Sequence, residues 1–375
     1  IADINMGQSP SGNSYNNNGR GIPFLQGNKT FGFLYPTIDT WTTEPKKIGK
    51  KNSVLMSVRA PVGDLNIANK DICIGRGLCS IEMKNGNNQY LYYLLKNSIK
   101  KIKMKSTGTV FESINRKELE NIEILDFDKS QQKKISKVLF DIDKKIELNI
   151  QTNDNLYKIL EQYIKEHYYN NEFVRNGNVN DIGKIQGGYA FKSKDLLNET
   201  TNNKVLKIKN ISASGVDIDN TQCVYDEVAD KVDKKFLLLR DNVIIAMTGA
   251  ELGKTGYLYG QDYRYFLNQR VGVIRGNDKY SELYLNCLFL LNDMQNTLNS
   301  KGYGSAQPNI STSDIENIEI PIPKEDELET FYEKCNPIYS KMILNSEQNQ
   351  SLTQLRDSLL PKLMNGEIDL DKIEI

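Results

Sequence analysis

Two stretches of the chain share one hydrophobic rhythm. In the first, apolar or recurring positions fall at Ile135, Leu139, Ile142, Ile146, Asn149, Asn153, Leu156, Leu160 and Tyr163, in alternating steps of 4 and 3. In the second, the same frame reads Phe331, Cys335, Ile338, Met342, Asn345, Asn349, Leu352, Arg356 and Leu359. A sustained 3–4 alternation predicts a long helix with a coiled-coil seam. Arg356 breaks the second seam, and Pro337 predicts either a kink or a late start of that helix. Elsewhere the apolar runs are short. Residues 53–58, 205–208, 242–247 and 272–274 read as strands set between clusters of Gly, Asn, Ser and Pro. Helical spacing at 90–102 and 281–298 interrupts each strand-rich part.

The two halves are copies of one unit. Residues 106–125 and 302–321 align without a gap at an offset of 196, and seven of twenty positions are identical, including Glu120–Ile124 over Glu316–Ile320. The offset continues through the helices, setting Ile142 over Ile338, Asn149 over Asn345, Asn153 over Asn349 and Leu156 over Leu352. Upstream, Ile1-Ala2-Asp3-Ile4 lies over Ile182-Gly183-Lys184-Ile185, Gly7 over Gly188, Asn52 and Leu55 over Asn242 and Ile245, and Gly63 over Gly253. The loops between these anchors differ in length and residue type. The expected organisation is a strand-rich domain at 1–128, a helix at 129–171, a second strand-rich domain at 172–323, and a helix with a tail at 324–375.

Asn149, Asn153, Asn345 and Asn349 occupy equivalent seam positions and read as a registry device, because buried amides satisfy each other in one alignment only. If the helices pair antiparallel, the two domains are related by a pseudo-twofold axis. A helix of about 38 residues spans about 55–60 Å, the length of about 15 base pairs of duplex.

Composition narrows the chemistry. Lys plus Arg equals Asp plus Glu, 48 each, so any nucleic-acid contact must come from local clusters. Five cysteines contain no C-x-x-C pair and stand beside a single histidine, His167, which points to buried free thiols and no metal site. No apolar run approaches a membrane span and no leader pattern opens the chain, so a cytoplasmic protein is expected. Ile1 already reads as strand, so a few native residues are expected upstream of it. Residues 249–255, GAELGKT, have three residues between the first Gly and Gly-Lys-Thr where a phosphate loop needs four. No amino-methyltransferase motif and no dinucleotide loop occurs, so no catalytic residue and no cofactor are assigned.

Several phrases carry a family resemblance. Residues 185–193 (IQGGYAFKS), 207–211 (KIKNI), 304–311 (GSAQPNIS), 318–323 (IEIPIP) and 359–368 (LLPKLMNGEI) are similar to the type I restriction–modification specificity subunits. So are 7–12 (GQSPSG), 21–26 (GIPFLQ) and 57–63 (SVRAPVG) in the first copy. Residues 107–111, TGTVF, depart from the pattern that the second copy keeps at 304–308. The resemblance covers the whole chain in order, twice. It implies an α+β fold of two homologous target-recognition domains separated by two long helices forming an antiparallel coiled coil. It also implies a non-catalytic subunit that reads a bipartite site in double-stranded DNA. Its helices would dock two DNA methyltransferase (modification) subunits, which bring in the restriction/translocase subunits.

Reading DNA needs donors and acceptors on loops together with lysines for phosphates. The candidates in the first domain are Gln8, Ser9, Tyr15, Arg20, Gln26, Arg59, Arg76, Thr107 and Thr109, with Lys105 closing a group that includes Lys100, Lys101 and Lys103. In the second they are Tyr189, Lys192, Lys194, Lys207, Lys209, Thr248, Lys254, Arg270, Tyr303, Ser305 and Gln307. The competing reading is a protein-binding scaffold, two modules joined by a coiled coil. DNA affinity that falls steeply with salt separates the two readings.

Overall fold

The structure is a computed structural model and describes residues 1–105, 113–125, 127–170, 174–212, 215–260, 262–302 and 308–368, the side chain of Lys105 excepted. It divides into two compact units, Ile1–Leu148 with Ser351–Ile375, and Asn149–Gln350. Each unit therefore holds one strand-rich module and a part of each long helix.

In the first unit a four-stranded antiparallel sheet runs in the order Ala2–Met6, Leu78–Met83, Val54–Ser57, Leu65–Ile67. The second unit repeats the order with Gly183–Gly187, Val271–Gly276, Val243–Ala246 and Thr255–Tyr257. A second sheet in each unit is centred on a parallel pair, Ile22–Leu25 with Ile72–Ile74 in one and Asn203–Leu206 with Arg264–Leu267 in the other.

The strands read as continuous apolar runs because both faces of the main sheet are covered. Successive side chains point to opposite faces. Val54 and Met56 join Tyr90, Leu91 and Leu94 of helix Asn88–Asn97, while Leu55 packs with Leu25, Ile72 and Ile74 of the second sheet. Val243 and Ile245 likewise join Leu285 and Phe289 of helix Lys279–Leu290, while Ile244 faces Leu206 and Leu267.

This alternation corrects one alignment. Leu55 pairs with Ser80 and faces the second sheet, as does Ile244 and not Ile245. Asn52 and Asp241, both at positive φ (68° and 77°), are the true equivalents ahead of these strands. Gly63 and Gly253 remain matched, each bonding back to the last residue of its strand (Ser57 and Ala246, both 2.9 Å), so the second copy carries one extra residue in the intervening turn. A gapless overlay there would exchange the two faces of the strand.

The helices expected at 90–102 and 281–298 are present, but each is broken into two: Asn88–Asn97 then Ile99–Lys105, and Lys279–Leu290 then Asn292–Lys301. The long helices span Lys129–Ile164 and Glu325–Met364, about 54 and 60 Å at 1.5 Å per residue. The second begins well before Pro337, so Pro337 is not a late helix start. It lies on the exposed face, while Phe331, Cys335, Tyr339 and Met342 on the opposite face are packed in the core. Within each unit the two helices run antiparallel: Ile135 and Leu139 share a core with Leu360 and Leu363, and Leu160 and Ile164 share one with Leu328 and Phe331.

Arg356, the break in the seam, is buried. Its Nη1 donates to Asp143 Oδ1 at 2.7 Å, and the Tyr93 hydroxyl donates to Asp143 Oδ2 at 2.8 Å. At the positions 196 residues away stand Leu160 and Tyr339, both buried, so one copy has an ion pair where the other has packed side chains. All five cysteines are free and buried.

Candidate nucleic-acid interface

The site is built at the corner where the main sheet hands over to the second sheet. After strand Ala2–Met6 the chain crosses the turn at Gly75–Leu78, with Gly7 N donating to Leu78 O (2.9 Å) and Gln8 N to Ile74 O (2.9 Å). The crossing is so close that a Cβ on Gly7 would lie 2.1 Å from Gly75 O. Gly75 N then donates to Leu25 O at 2.8 Å and fixes the end of strand Ile22–Leu25, just ahead of Gln26.

Three loops converge as a result. Ser9 Oγ donates to Gln26 Oε1 at 3.0 Å, and Arg76 N donates to Ser9 Oγ at 3.3 Å. The Tyr15 ring stacks on Phe24 at 4.7 Å and its hydroxyl donates to Pro10 O at 3.1 Å. These residues line a cleft of about 730 Å3. The cleft offers an exposed guanidinium, an exposed amide and an exposed phenol edge, the donor and acceptor types that read base edges and phosphates.

Four candidates thus meet in one place: Ser9, Tyr15, Gln26 and Arg76. Gln8 is exposed beside them in the chain. Arg20 is exposed on a turn whose Asn16 caps its amide, and Arg59 is exposed with its backbone bridged to Ser113, and neither lines the cleft. Lys29, Thr30, Asp39 and Thr40 also line it and were not among the candidates. Only the folding of residues 27–40 back over strand Ile22–Leu25 brings them there, and no local pattern announces it.

The second unit makes the same corner with other side chains. Gly188 passes Asn268 O at a distance that leaves a Cβ only 2.1 Å, Tyr189 N donates to Leu267 O (2.9 Å), and Asn268 N donates to Leu206 O (3.1 Å). Tyr189 therefore stands where Gln8 does, Lys207 where Gln26 does, and Arg270 where Gly77 does, one residue beyond Arg76. Tyr189 packs edge-on against Phe191 (4.9 Å) and Phe236 (5.5 Å). The Lys207 ammonium donates to Gln222, and burial together with neighbouring Lys209 lowers its pKa. Lys192, Lys194, Lys209 and Arg270 are exposed.

Two candidates are held by their own module. Thr248 is 7% exposed and donates to Pro308 O at 3.1 Å, while Lys254 pairs with Glu251 at 2.7 Å. Backbone bonds from Gly253 N to Ala246 O (2.9 Å) and from Lys254 N to Glu251 O (3.0 Å) close the turn 249–255. Lys100, Lys101 and Lys103 are exposed on helix Ile99–Lys105. Thr107, Thr109, Tyr303, Ser305, Gln307 and the Lys105 side chain lie outside the described residues.

On the helices, Asn149 Nδ2 donates to Asn349 Oδ1 and to Gln348 Oε1, both at 2.8 Å, and Asn345 Nδ2 donates to Asn153 Oδ1 at 2.8 Å. The offset of 196 exchanges these two asparagine contacts with each other. Asn153 Nδ2 also donates to Met342 O at 3.0 Å. His167 is exposed and stacks on Tyr163 at 4.0 Å. Among the described residues no group of His, Cys, Asp and Glu could hold a metal, and no helix is long and apolar enough to cross a membrane.

The family described as type I restriction modification DNA specificity domain matches residues 1–158 and again 171–354. The putative type I restriction enzyme MjaX specificity subunit of Methanocaldococcus jannaschii is 42% identical over 157 residues, 41% of this chain and 37% of that protein, so this match spans little more than a third of that relative's length. The MjaIX specificity subunit of the same organism is 28% identical over 352 residues, 87% of this chain and 80% of that one. Among solved structures, the type I restriction–modification S subunit from M. genitalium has a TM-score of 0.63 at 18% identity, covering 97% of this chain and 93% of its own, a likeness of fold.

Proposed function

This chain belongs to the type I restriction–modification DNA specificity family, whose members are non-catalytic subunits, and from that premise we propose that it reads a bipartite, asymmetric site in double-stranded DNA, one half with each module. The observation that carries the reading is the shared corner. One set of backbone hydrogen bonds presents Gln8 and Gln26 in one module and Tyr189 and Lys207 at the same positions in the other, with Arg76 and Arg270 one position apart on the same turn. A common frame with different side chains is what two related readers of different sequences need, since each good base contact contributes about 1–3 kcal/mol of discrimination.

The long helices set the spacing of the half-sites and dock two methyltransferase subunits. The restriction/translocase subunits join through that complex, in the cytoplasm. The four seam asparagines fix the alignment of the helices. The test is to exchange residues 1–125 for the matching module of another specificity subunit and to map methylated sites genome-wide, with matched methyltransferase subunits present. One half-site changes and the other stays. A single continuous site in the parent, or changes in both halves, overturns the two-reader model.

A further inference from the structure

The two long helices begin with opposite charge. Lys129, Lys133 and Lys137 lie one turn apart on the exposed face of the first helix, and Glu325, Glu329 and Glu333 hold the same positions, 196 residues on, in the second. In the first unit the lysines line a groove of about 430 Å3 against Asn85, Asn87 and Gln89. In the second unit a groove of about 570 Å3 at the start of the helix is lined by Asp181, Asp278, Glu325 and Glu327 together with Arg175 and Lys324, an acidic excess. Glu329 and Glu333 continue the exposed stripe beyond it.

Helix physics accounts for only one of these. The N-terminal end of a helix carries partial positive charge, which favours carboxylates there and disfavours ammonium groups. Glu325 in the first turn needs no further reason. Lys129 sits against the dipole in a first turn that holds no acidic residue. Ahead of it Asp128 caps the turn, its Oδ1 accepting from Gln131 N at 2.9 Å, and Lys133 and Lys137 follow in the next two turns. Lys137 approaches an acid on its own helix, Asp141, at 3.5 Å, where both side chains are more than half exposed and the pair contributes little.

Resting on the reading that two identical methyltransferase subunits dock on the helices, we propose that the two docking sites are unequal and fill in order. The lysine groove takes an acidic surface of the first partner copy. The second copy brings the same acidic surface to the glutamates and binds more weakly. A phosphate contact is disfavoured, because a DNA-facing stripe would keep its sign in both copies. Three exposed pairs at the usual strength of surface ion pairs amount to about a tenfold difference in affinity.

The experiment titrates the full chain with the methyltransferase subunit of its own system, by calorimetry and native mass spectrometry, at low and high salt. Wild type is expected to bind in two steps about tenfold apart at low salt, converging as salt rises. The variant E325K/E329K/E333K should bring the weak step up to the strong one. The variant K129E/K133E/K137E should lose the strong step while keeping the wild-type circular dichroism spectrum and melting temperature. Equal steps in wild type, or unequal steps that neither variant moves, overturn the proposal. So does a lysine variant that loses affinity for duplex DNA alone and titrates normally with the partner. Absence of any partner binding by wild type removes the docking reading itself, a result distinct from two equal sites.

Discussion

Replacing Arg356 with Leu tests the most heavily buried charge pair among the described residues of the first unit. Arg356 is 5% exposed and Asp143 is fully buried. The substitution removes the 2.7 Å contact to Asp143 Oδ1 and leaves a buried carboxylate with the Tyr93 hydroxyl and the Lys96 ammonium, 3.9 Å from Oδ2. Tyr93 remains a donor, since burial and the Asp143 charge hold its phenol far above the ordinary range. Breaking a buried pair on one side destabilises by about 3–5 kcal/mol, and Lys96 draws this toward the lower end. For a folding unit of about 150–250 residues that is a fall of about 10 °C in melting temperature. The double variant Asp143→Leu/Arg356→Leu should recover most of the loss, because a buried pair and well-packed apolar side chains of similar volume are nearly equivalent. Leu160 at the equivalent position already packs this way in the second unit. Urea and thermal unfolding followed by circular dichroism read both variants. A single variant within about 1 kcal/mol of wild type, or a double variant as unstable as the single, would refute the reasoning.

Gly188→Ala sets a Cβ 2.1 Å from Asn268 O, a backbone atom that cannot swing aside, and should destabilise the second unit by about 2–3 kcal/mol in urea unfolding. Gly12→Ala, with nothing within 4 Å, should stay within about 0.5 kcal/mol and serves as its control. Burial pushes the Cys79 and Cys335 thiols up to about 12, against about 8.5 in an unfolded chain. Their contribution to stability is therefore complete below about pH 8.5 and is lost as pH rises toward 12, and neither should be alkylated in the native chain at pH 8.5. Modification of either under those conditions contradicts the burial argument. Replacing Asn149, Asn153, Asn345 and Asn349 together with Leu should raise stability by about 1–4 kcal/mol while loosening the alignment of the helices. A quadruple variant that stays uniquely folded, monomeric and no more stable on calorimetry and sedimentation ends the registry idea.

The duplication, the long helices and the strand-rich character of each module were legible in the sequence because they rest on periodicity and on local repeats. A 3–4 alternation fixes a helical seam whatever surrounds it, and the seven identities at a constant offset need no structure to be seen. What Arg356 does could not be read along the chain. An arginine at a seam position is a defect until Asp143, 213 residues away, is brought to 2.7 Å. The facing of Leu55 and Ile244 escaped an ungapped overlay because strand periodicity is two, and one inserted turn residue exchanges the faces. The candidate interface divides in the same way. Exposed polar residues on loops could be nominated one by one, but which of them share a cleft was decided by Gly7 and Gly188 passing over distant carbonyls. The same tertiary packing turned Thr248 inward against Pro308. Local sequence supplies the side chains, and long-range backbone contacts choose which of them face solvent together.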